Sequence, residues 1–378
     1  MTVLIATGTF KGSLGAGEVT SAVAAGIREV IEPGIVIMPV ADGGDGTVAA
    51  VVAAGFTPVP VVASGPTRVP VAATWARCGD TAVIEMADVC GLARLPGGRL
   101  EPLTATSHGL GEVIAAAIEA GCSEIIVGVG GSASTDGGAG LVRALGARLL
   151  DVDGRDVGDG GAALPGVAAV DLTALHRRIA GVRIVLASDV DNPLVGPRGS
   201  AAVYGPQKGA SEAAVTALDA ALSHWADVVS QATGRDDRDR PGAGAAGGVG
   251  YAALALLGAE LRPGIDLVLE LVGFGAALDG AVLVVTGEGA LDEQTLHGKT
   301  PAGVAAAAAA RGIPVVAVCG RTSLTPAQLE AAGIRDVYAL TDLEPDEQRC
   351  LAEPAPLLVR LGAHLARDQL LTPRGPRR

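Results

Sequence analysis

Five segments of the chain combine an apolar, strand-like run with a loop of small residues, and all but the first of them carry a carboxylate. They are residues 2–13, 35–47, 125–140, 184–192 and 282–300. Glycines let a backbone approach a ligand closely and present its N–H groups, and carboxylates can hold a metal ion or accept a proton. This combination suits chemistry on phosphate assisted by a divalent cation, although ordinary strand-to-helix turns offer the same residue types.

Two pairs of aspartates are candidates for metal binding and proton transfer. Asp42 and Asp45 flank two glycines, and Asp189 and Asp191 follow an apolar run. Alternation along an extended chain would point Asp189 and Asp191 to the same side, where they could share Mg²⁺ or divide metal binding from general-base catalysis. Turn formation and helix capping are the alternative uses of these aspartates.

The segment 282–300 ends in Gly298, Lys299 and Thr300, which resemble the end of a P-loop. The first glycine of that motif would fall on Glu293, so a true P-loop is not expected. A helix starting at Pro301 can still bind an anion through its first N–H groups. The alternative is a plain turn in which Thr300 caps the helix and Lys299 is solvated.

Residues 128–133 satisfy the loose GxGxxA pattern of dinucleotide-binding loops. Further small residues delay the following helix, predicted to begin at Gly138, and interrupt the tight strand–turn–helix geometry of such loops. An anion-binding loop of Gly130, Gly131 and Ser132 is therefore favoured over NAD binding, with a glycine-rich packing turn as the alternative.

Two lysines lie in loops that are rich in turn residues. Lys11 occupies the first strand-to-helix loop, the place where parallel sheets put ligands, and Lys208 lies in Gly205–Gly209. Either lysine could bind phosphate or be a solvated loop residue. The five cysteines form no CxxC pair, so neither a zinc cluster nor a disulfide framework is expected.

The composition indicates a two-domain α/β protein. The chain has 378 residues, more than one hydrophobic core usually supports. Its formal net charge of −13 argues against nucleic acid or an anionic membrane as a partner. A strand predicted from Val3 leaves no room for a signal peptide, and apolar runs are too short to span a membrane, so a cytoplasmic location is expected.

Both chain ends show the strand–loop–helix rhythm of a parallel sheet, whereas residues 56–92 read as short strands that pair antiparallel. We therefore predict a parallel-sheet, flavodoxin/Rossmann-like domain from residues 1–56 and 265–371, with an inserted mixed-sheet α/β domain from 57–264. Residues 372–378 are predicted to be a disordered tail.

Several individual elements are predicted within this frame. Helices are expected over Gly138–Leu149 and Ser211–Gln231, and a loop over Asp236–Gly250. A strand is expected over Val282–Thr286, followed by a loop as far as Pro301.

The ordered motifs of the chain resemble those of the bacterial glycerate kinases. The resemblance runs from about Val3 to Leu340 and rests on these segments: Phe10–Leu14, Ala41–Thr47, Gly130–Ala133 with Asp136–Gly138, Asp189–Leu194 with Gly205–Gly209, and Thr286–Gly289 with Leu291, Asp292, Gly298 and Lys299.

The resemblance implies ATP-dependent phosphorylation of a hydroxyl of D-glycerate, generally the 2-hydroxyl, giving 2-phosphoglycerate with Mg²⁺ as cofactor. It also implies two α/β domains with the active site in the cleft between them. A monomer or homodimer is expected, a choice that the sequence leaves open. The catalytic candidates are then Asp189, Asp191 and Lys11, of which Asp189 and Asp191 are the metal candidates. The substrate- or phosphate-binding candidates are Ser13, Asp42, Asp45, Gly130, Gly131, Ser132, Asp136, Lys208, Glu288, Asp292 and Lys299.

The chain departs from the family's motifs at four positions. Gly8 stands where the family usually has an aspartate, and Ala290 where it has an arginine; His108 and Thr135 replace a tyrosine and an asparagine. These departures keep two alternatives open, namely a kinase for a related hydroxy acid and a catalytically impaired binding protein. A nicotinamide-dependent dehydrogenase is a third alternative that depends only on residues 128–133.

Overall fold

The computed structural model describes residues 1–296 and 298–371. The predicted disordered tail, residues 372–378, lies outside the described residues. The chain divides into two compact units. The first unit contains Met1–Asp42, Ala49–Gly55 and the chain from Ile265 onward, and the second contains Gly43–Val48 and Phe56–Gly264.

The strands are β1 (Thr2–Thr7), β2 (Gly34–Ile37), β3 (Thr57–Ser64), β4 (Pro70–Cys78), β5 (Thr81–Glu85), β6 (Glu124–Gly128), β7 (Arg148–Leu150), β8 (Ala169–Asp171), β9 (Arg183–Ala187), β10 (Glu260–Arg262), β11 (Ala281–Leu291), β12 (Val315–Thr322) and β13 (Ile334–Ala339). The helices are α1 (Ala16–Arg28), α2 (Thr47–Ala53), α3 (Met86–Cys90), α4 (His108–Glu119), α5 (Ala139–Ala144), α6 (Thr173–Arg178), α7 (Ser200–Tyr204), α8 (Glu212–Thr233), α9 (Ala245–Leu256), α10 (Gly264–Leu271), α11 (Phe274–Ala277), α12 (Thr300–Ala309), α13 (Pro326–Ala331), α14 (Glu347–Ala352) and α15 (Pro354–Ala366).

The first unit is built on a parallel sheet with the strand order β13-β12-β11-β1-β2. The run Val3–Ala6 in β1 is buried throughout, which is typical of a strand covered by helices on both faces. Val3 and Ile5 join residues of α1 and α15 in a core that consists mainly of aliphatic side chains. The prediction of a parallel α/β domain from both chain ends is confirmed.

The second unit has a mixed sheet with the order β10-β9-β6-β5-β4-β3. Strands β3, β4 and β5 pair antiparallel, as predicted from their short spacing, and β5, β6, β9 and β10 are parallel. The long helix α8 lies against this unit's core through Leu222 and Trp225. Its N-cap is Ser211, whose hydroxyl accepts a hydrogen bond from the N–H of Ala214, and it ends at Gly234 in the left-handed conformation.

Three predicted elements differ from the observed ones. The helix expected over Gly138–Leu149 ends at Ala144, because the chain continues into β7, which pairs with β8. The loop expected over Asp236–Gly250 differs only at its end, because Ala246, Gly247 and Gly248 have left-handed φ angles and α9 is continuous only from Val249. Strand β11 continues past Thr286 to Leu291, since its pairing with β12 persists through the glycines.

Among the described residues, no helix is both long and apolar enough to cross a lipid bilayer.

Candidate functional site

The first unit carries candidate residues in the loop after β1. Lys11 is exposed there, and the loop backbone packs along β11, because a methyl group at Gly289 would lie 3.3 Å from the Cα atom of Phe10. The hydroxyl of Ser13 donates to the backbone oxygen of Leu351 in α14, 2.9 Å away. Ser13 therefore fastens this loop to α14, and Lys11 remains the exposed cation of the loop.

Glu288 is a half-buried carboxylate in the same unit. It accepts a hydrogen bond from the hydroxyl of Thr295. Burial raises the pKa of Glu288; the Thr295 hydrogen bond and Lys299 lower this pKa, and Asp42 and Asp292 raise it. The first unit thus brings four sequence-predicted residues, Asp42, Glu288, Asp292 and Lys299, into electrostatic contact.

Asp292 also shapes the loop between β11 and α12. One of its carboxylate oxygens accepts the N–H of Gln294 at 2.9 Å, and its own N–H donates to the Thr295 hydroxyl at 3.1 Å. This is turn chemistry of the kind that aspartate commonly performs. Asp292 therefore fixes Thr295, and through it the carboxylate of Glu288.

Lys299 occupies the N-cap position of α12, and the helix begins at Thr300, so Thr300 is the first helical residue rather than the cap. The side chain of Lys299 makes no capping hydrogen bond to this helix end. A methyl group at Gly8 would lie 3.4 Å from the Oγ1 atom of Thr300. The position where the family's aspartate is missing is therefore beside the N-terminus of α12, the end of a helix that favours anions.

The second unit places candidate loops at the carboxyl ends of the parallel strands β6 and β9. The loop that carries the exposed Asp45 packs on them through backbone contacts. A methyl group at Gly130 would lie 2.7 Å from the Cα atom of Gly44, and one at Gly43 would lie 2.9 Å from the Cβ atom of Ala187. Such distances allow only glycine, so this close approach explains the glycines of both loops.

Glu85 fixes the loop that carries Asp45 through hydrogen bonds, a role that the sequence did not reveal. Its carboxylate is 6% exposed and accepts the N–H groups of Gly46 and Val48, each at 3.1 Å. Burial raises the pKa of Glu85 to about 7; the two backbone hydrogen bonds oppose this rise, and Asp45 and Asp88 add to it. A lone glutamate at the end of a strand gives no local signal of partners that are far away in sequence.

The Gly130–Ser132 loop is held by α3 and the residues after it. The N–H of Leu92 donates to the oxygen of Gly131 at 3.0 Å, and the N–H of Ala133 donates to the oxygen of Cys90 at 2.9 Å. Within residues 1–296 and 298–371, the N–H groups of Gly130, Gly131 and Ser132 have no hydrogen-bond acceptor. The loop therefore offers three consecutive backbone donors, the arrangement that binds anions.

Lys208 lies behind this loop and is 1% exposed. Its ammonium group donates to the hydroxyl oxygen of Ser132 at 2.9 Å and to the backbone oxygen of Ser134 at 2.5 Å. Burial lowers the pKa of Lys208 to about 7, and the negative charge of Asp136 opposes this decrease. The ammonium group thus makes its hydrogen bonds to the loop from the interior of the protein.

Asp136 is also fully buried and organises the segments on either side of it. Its carboxylate accepts hydrogen bonds from both the N–H and the hydroxyl of Ser107, at 2.8 and 2.9 Å. Further donors are the hydroxyl of Thr106 and the N–H groups of Gly138 and Gly140. With so many internal donors, the carboxylate of Asp136 positions the polypeptide around the loop.

Asp189 and Asp191 follow β9, which ends at Ala187, so the strand alternation expected to align them does not extend to these residues. One oxygen of Asp189 accepts the N–H of Gly264 at 2.9 Å, whereas Asp191 lies 3.6 Å from the guanidinium of Arg198. Both aspartates are exposed. In the part of the chain that the structure describes, no cluster of three or more His, Cys, Asp or Glu side chains is arranged for a metal ion.

The other departures from the family's motifs have ordinary structural environments. His108 is the first residue of α4, and its imidazole lies 3.3 Å from the carboxylate of Glu112; burial lowers its pKa. The hydroxyl of Thr135 is buried without a hydrogen-bond partner among the described residues. Ala290 is the Cα partner of Arg321 on the neighbouring strand.

Comparison with known proteins relates this chain to one family over nearly its full length. The sequence model described as "Glycerate kinase family" matches residues 3–370. The protein named glycerate kinase from Bacillus subtilis is 46% identical over 345 residues, which cover 90% of each chain. The protein named glycerate 2-kinase from Escherichia coli is 44% identical over 344 residues, again 90% of each chain. A crystal structure from Salmonella typhimurium, provisionally named glycerate kinase 2, is similar with a TM-score of 0.83, 40% identity and 97% coverage of both chains.

Proposed function

We propose, since the chain belongs to the glycerate kinase family, that it transfers a phosphoryl group from ATP to a hydroxyl of D-glycerate. The observation that carries this proposal is the 46% identity with a protein named glycerate kinase over 90% of both chains. The relative named glycerate 2-kinase supports the 2-hydroxyl as the acceptor and 2-phosphoglycerate as the product.

The candidate residues suit phosphoryl transfer, a reaction that depends mainly on positioning and charge neutralisation. We assign Lys11 and Lys299 to a phosphate or to the substrate carboxylate, because both are lysines in loops with access to solvent. The N–H groups of Gly130–Ser132 provide neutral donors for another anionic group. Asp189 is the candidate general base, since the hydrogen bond from Gly264 fixes its carboxylate.

Mg²⁺ fits the donor set of the second unit. Asp189 and Asp191 offer carboxylate oxygens, and Mg²⁺ is commonly held by one or two carboxylates together with water and substrate phosphates. When bound, the ion would neutralise charge on the phosphates. Omitting Mg²⁺ from the assay is expected to abolish turnover, and adding it back to chelated enzyme is expected to restore it.

The proposal is tested with purified protein, Mg-ATP and D-glycerate, by following ADP release and reading the position of the new phosphate by phosphorus NMR. We expect 2-phosphoglycerate. Asp189→Asn should lower kcat by about 100-fold or more if Asp189 is the general base. Asp153→Asn, a change in an exposed loop of the same unit, is the matched control and should retain wild-type activity. No ADP with D-glycerate or any related hydroxy acid would refute the proposal.

The departures at Gly8 and Ala290 favour a second candidate, a glycerate-kinase-like binding protein with weak or lost turnover. A kinase for a related hydroxy acid is the remaining variant of the same reaction. Calorimetric titration separates these cases, because a binding protein takes up D-glycerate or ATP without producing ADP. A panel of hydroxy acids offered as acceptors identifies the preferred substrate.

The proposed setting is the cytoplasm, which supplies both ATP and Mg²⁺. The proposed assembly is a monomer or a homodimer, and light scattering during size-exclusion chromatography distinguishes the two.

A further inference from the structure

The direction of the hydrogen bond between Lys208 and Ser132 determines what the Ser132 hydroxyl can do. An ammonium group carries donors and no acceptor. While Lys208 is protonated, the Ser132 oxygen, 2.9 Å from the Lys208 nitrogen, therefore accepts this bond. The single hydroxyl proton of Ser132 remains to be donated elsewhere, and no acceptor for it lies among the described residues.

The Gly130–Ser132 loop therefore presents several hydrogen-bond donors that have no acceptor among the described residues. The N–H groups of Gly130, Gly131 and Ser132 have no acceptor in the described residues, and the Ser132 hydroxyl is turned away from the lysine. The ammonium group of Lys208 lies directly behind them, and the carboxylate of Asp136, which interacts with this charge, already accepts several hydrogen bonds from the protein. An oxyanion would satisfy the donors and interact favourably with the buried charge.

We propose that the Gly130–Ser132 loop binds an oxyanion of a substrate, and that Lys208 is a positioning residue that turns the Ser132 hydroxyl into an obligate donor. The oxyanion is either the carboxylate of the hydroxy acid or a phosphate of the nucleotide. This inference rests on the proposed function and deepens it, because it assigns Lys208 a role without contact to the ligand.

The test compares Lys208→Met, Ser132→Ala and the double variant with the wild type. Calorimetry measures the binding of D-glycerate and of Mg-ATP in separate titrations, and steady-state assays give KM and kcat for each. We expect both single variants to weaken the same ligand by about tenfold, a typical effect for a charge-assisted hydrogen bond. The double variant should bind no more weakly than Lys208→Met, because the Ser132 hydroxyl is no longer oriented as a donor once Lys208 is absent, and its removal then costs nothing further.

The identity of the weakened ligand distinguishes the two sources of the oxyanion. A loss confined to D-glycerate identifies a carboxylate, and a loss confined to Mg-ATP identifies a phosphate. Tyr251→Phe is the matched control, since it removes one buried hydrogen bond, from its hydroxyl to the oxygen of Ala226, within the same unit. This control should leave both affinities at the wild-type value while unfolding at slightly lower urea.

Additive losses in the double variant, or losses that merely follow stability as in Tyr251→Phe, would overturn the proposal. If Lys208→Met fails to fold, Ser132→Ala decides alone, and unchanged affinity for both ligands overturns the proposal. If the wild type binds D-glycerate or ATP through Ser132 but releases no ADP, the loop assignment stands and the proposed function fails.

Discussion

Two buried ionisable side chains with little exposure to solvent support the candidate loops of the second unit. Glu85 accepts backbone N–H groups on either side of Thr47, and Lys208 donates to Ser132 and Ser134. In both cases burial shifts the pKa towards neutrality, because it disfavours the charged form. The geometry of the loops is therefore sensitive to the protonation of residues that lie behind them.

Glu85 should make the stability of the protein depend on pH. Its pKa is raised from 4.5 to about 7 in the folded state, so the folded protein binds more protons than the unfolded chain between these values. Stability from this group is fully present below pH 4.5 and is lost as the pH rises through 7. We expect the wild type to lose up to roughly 3 kcal/mol relative to Glu85→Gln over this interval.

Urea denaturation at a series of pH values measures this difference. The exposed Glu330 of α13 provides a control, and Glu330→Gln should leave the pH dependence of the wild type intact. A Glu85→Gln variant with the same pH dependence as the wild type would contradict the expectation.

Gly8→Asp is expected to stabilise the protein. The side chain fits, because its first carbon would make an ordinary contact with Thr300, and its carboxylate would lie near the N-terminus of α12. Compared with the uncharged Gly8→Asn, the aspartate should raise the free energy of unfolding by about 0.3–1 kcal/mol. A lower stability of Gly8→Asp than of Gly8→Asn would show that the carboxylate is repelled there. A gain in kcat/KM would indicate that the missing acid limits turnover.

The candidate site residues and their roles both stay predictions, although several of the candidates lie near one another. Glu288 interacts electrostatically with three other residues of the sequence motifs, namely Asp42, Asp292 and Lys299. The role of Glu85 was not predicted, because its hydrogen-bond donors are backbone N–H groups in a distant part of the chain. Every residue type except proline has such a group, so the sequence does not reveal the contact. The internal position of Lys208 was hidden for the same reason, since a lysine among turn residues usually indicates an exposed loop.

At the scale of elements, the pairing of β11 with β12 places an arginine beside Ala290, the position where the family usually has an arginine. Ala290 is in register with Arg321 of β12, and side chains of registered residues in parallel strands leave the sheet on the same face. Arg321 is exposed, and its only recorded ion pair among the described residues is a 3.8 Å contact with Glu347. Such an exposed pair is weak and leaves the guanidinium available.

We expect the guanidinium of Arg321 to serve in place of the absent arginine at 290. Arg321→Ala should raise the KM of one anionic substrate about five- to tenfold, and adding Ala290→Arg to this variant should restore it. Arg311→Ala provides the control, because Arg311 is also an exposed, carboxylate-paired arginine of the first unit. Equal effects of Arg321→Ala and Arg311→Ala, or no recovery in the double variant, would exclude this compensation.

The apolar patterns predicted the strands of the two large sheets other than the three-residue β10, because long Val- and Ile-rich runs strongly favour the extended conformation. Short elements were missed. Strand β7 has only three residues and continues directly from a helix-like pattern, so its pairing with β8 decides its conformation. Glycines mark turns in most sequences, yet Gly287 lies within β11 and pairs with Val318 of β12.

At the scale of the whole molecule, the two units have separate hydrophobic cores. Ile5 belongs to the core of the first unit and Ile125 to that of the second, and both are fully buried. The two cores have no residue in common among the described residues. Each unit is therefore expected to respond to defects in its own core.

Scanning calorimetry should resolve two unfolding transitions. Ile5→Ala is expected to lower the temperature of one transition and Ile125→Ala that of the other. Each change should reduce the free energy of unfolding of its own unit by about 2–5 kcal/mol, because it removes buried aliphatic volume and leaves a cavity. The conservative changes Ile5→Val and Ile125→Val should cause proportionally smaller shifts of the same transitions. A single transition that both alanine variants lower equally would show that the two cores melt as one.

The path of the chain between the units has a consequence for recombination with relatives. The chain passes from one unit to the other after Asp42, Val48, Gly55 and Gly264. A chimera that exchanges only residues 56–264 would inherit position 130 from one parent and position 44 from the other, although Gly130 and Gly44 pack so closely that a methyl group at Gly130 would lie 2.7 Å from the Cα atom of Gly44. Breakpoints placed at Asp42 and Gly264 keep this contact within one parental sequence, so crossovers there should yield folded hybrids more often than crossovers at Gly55.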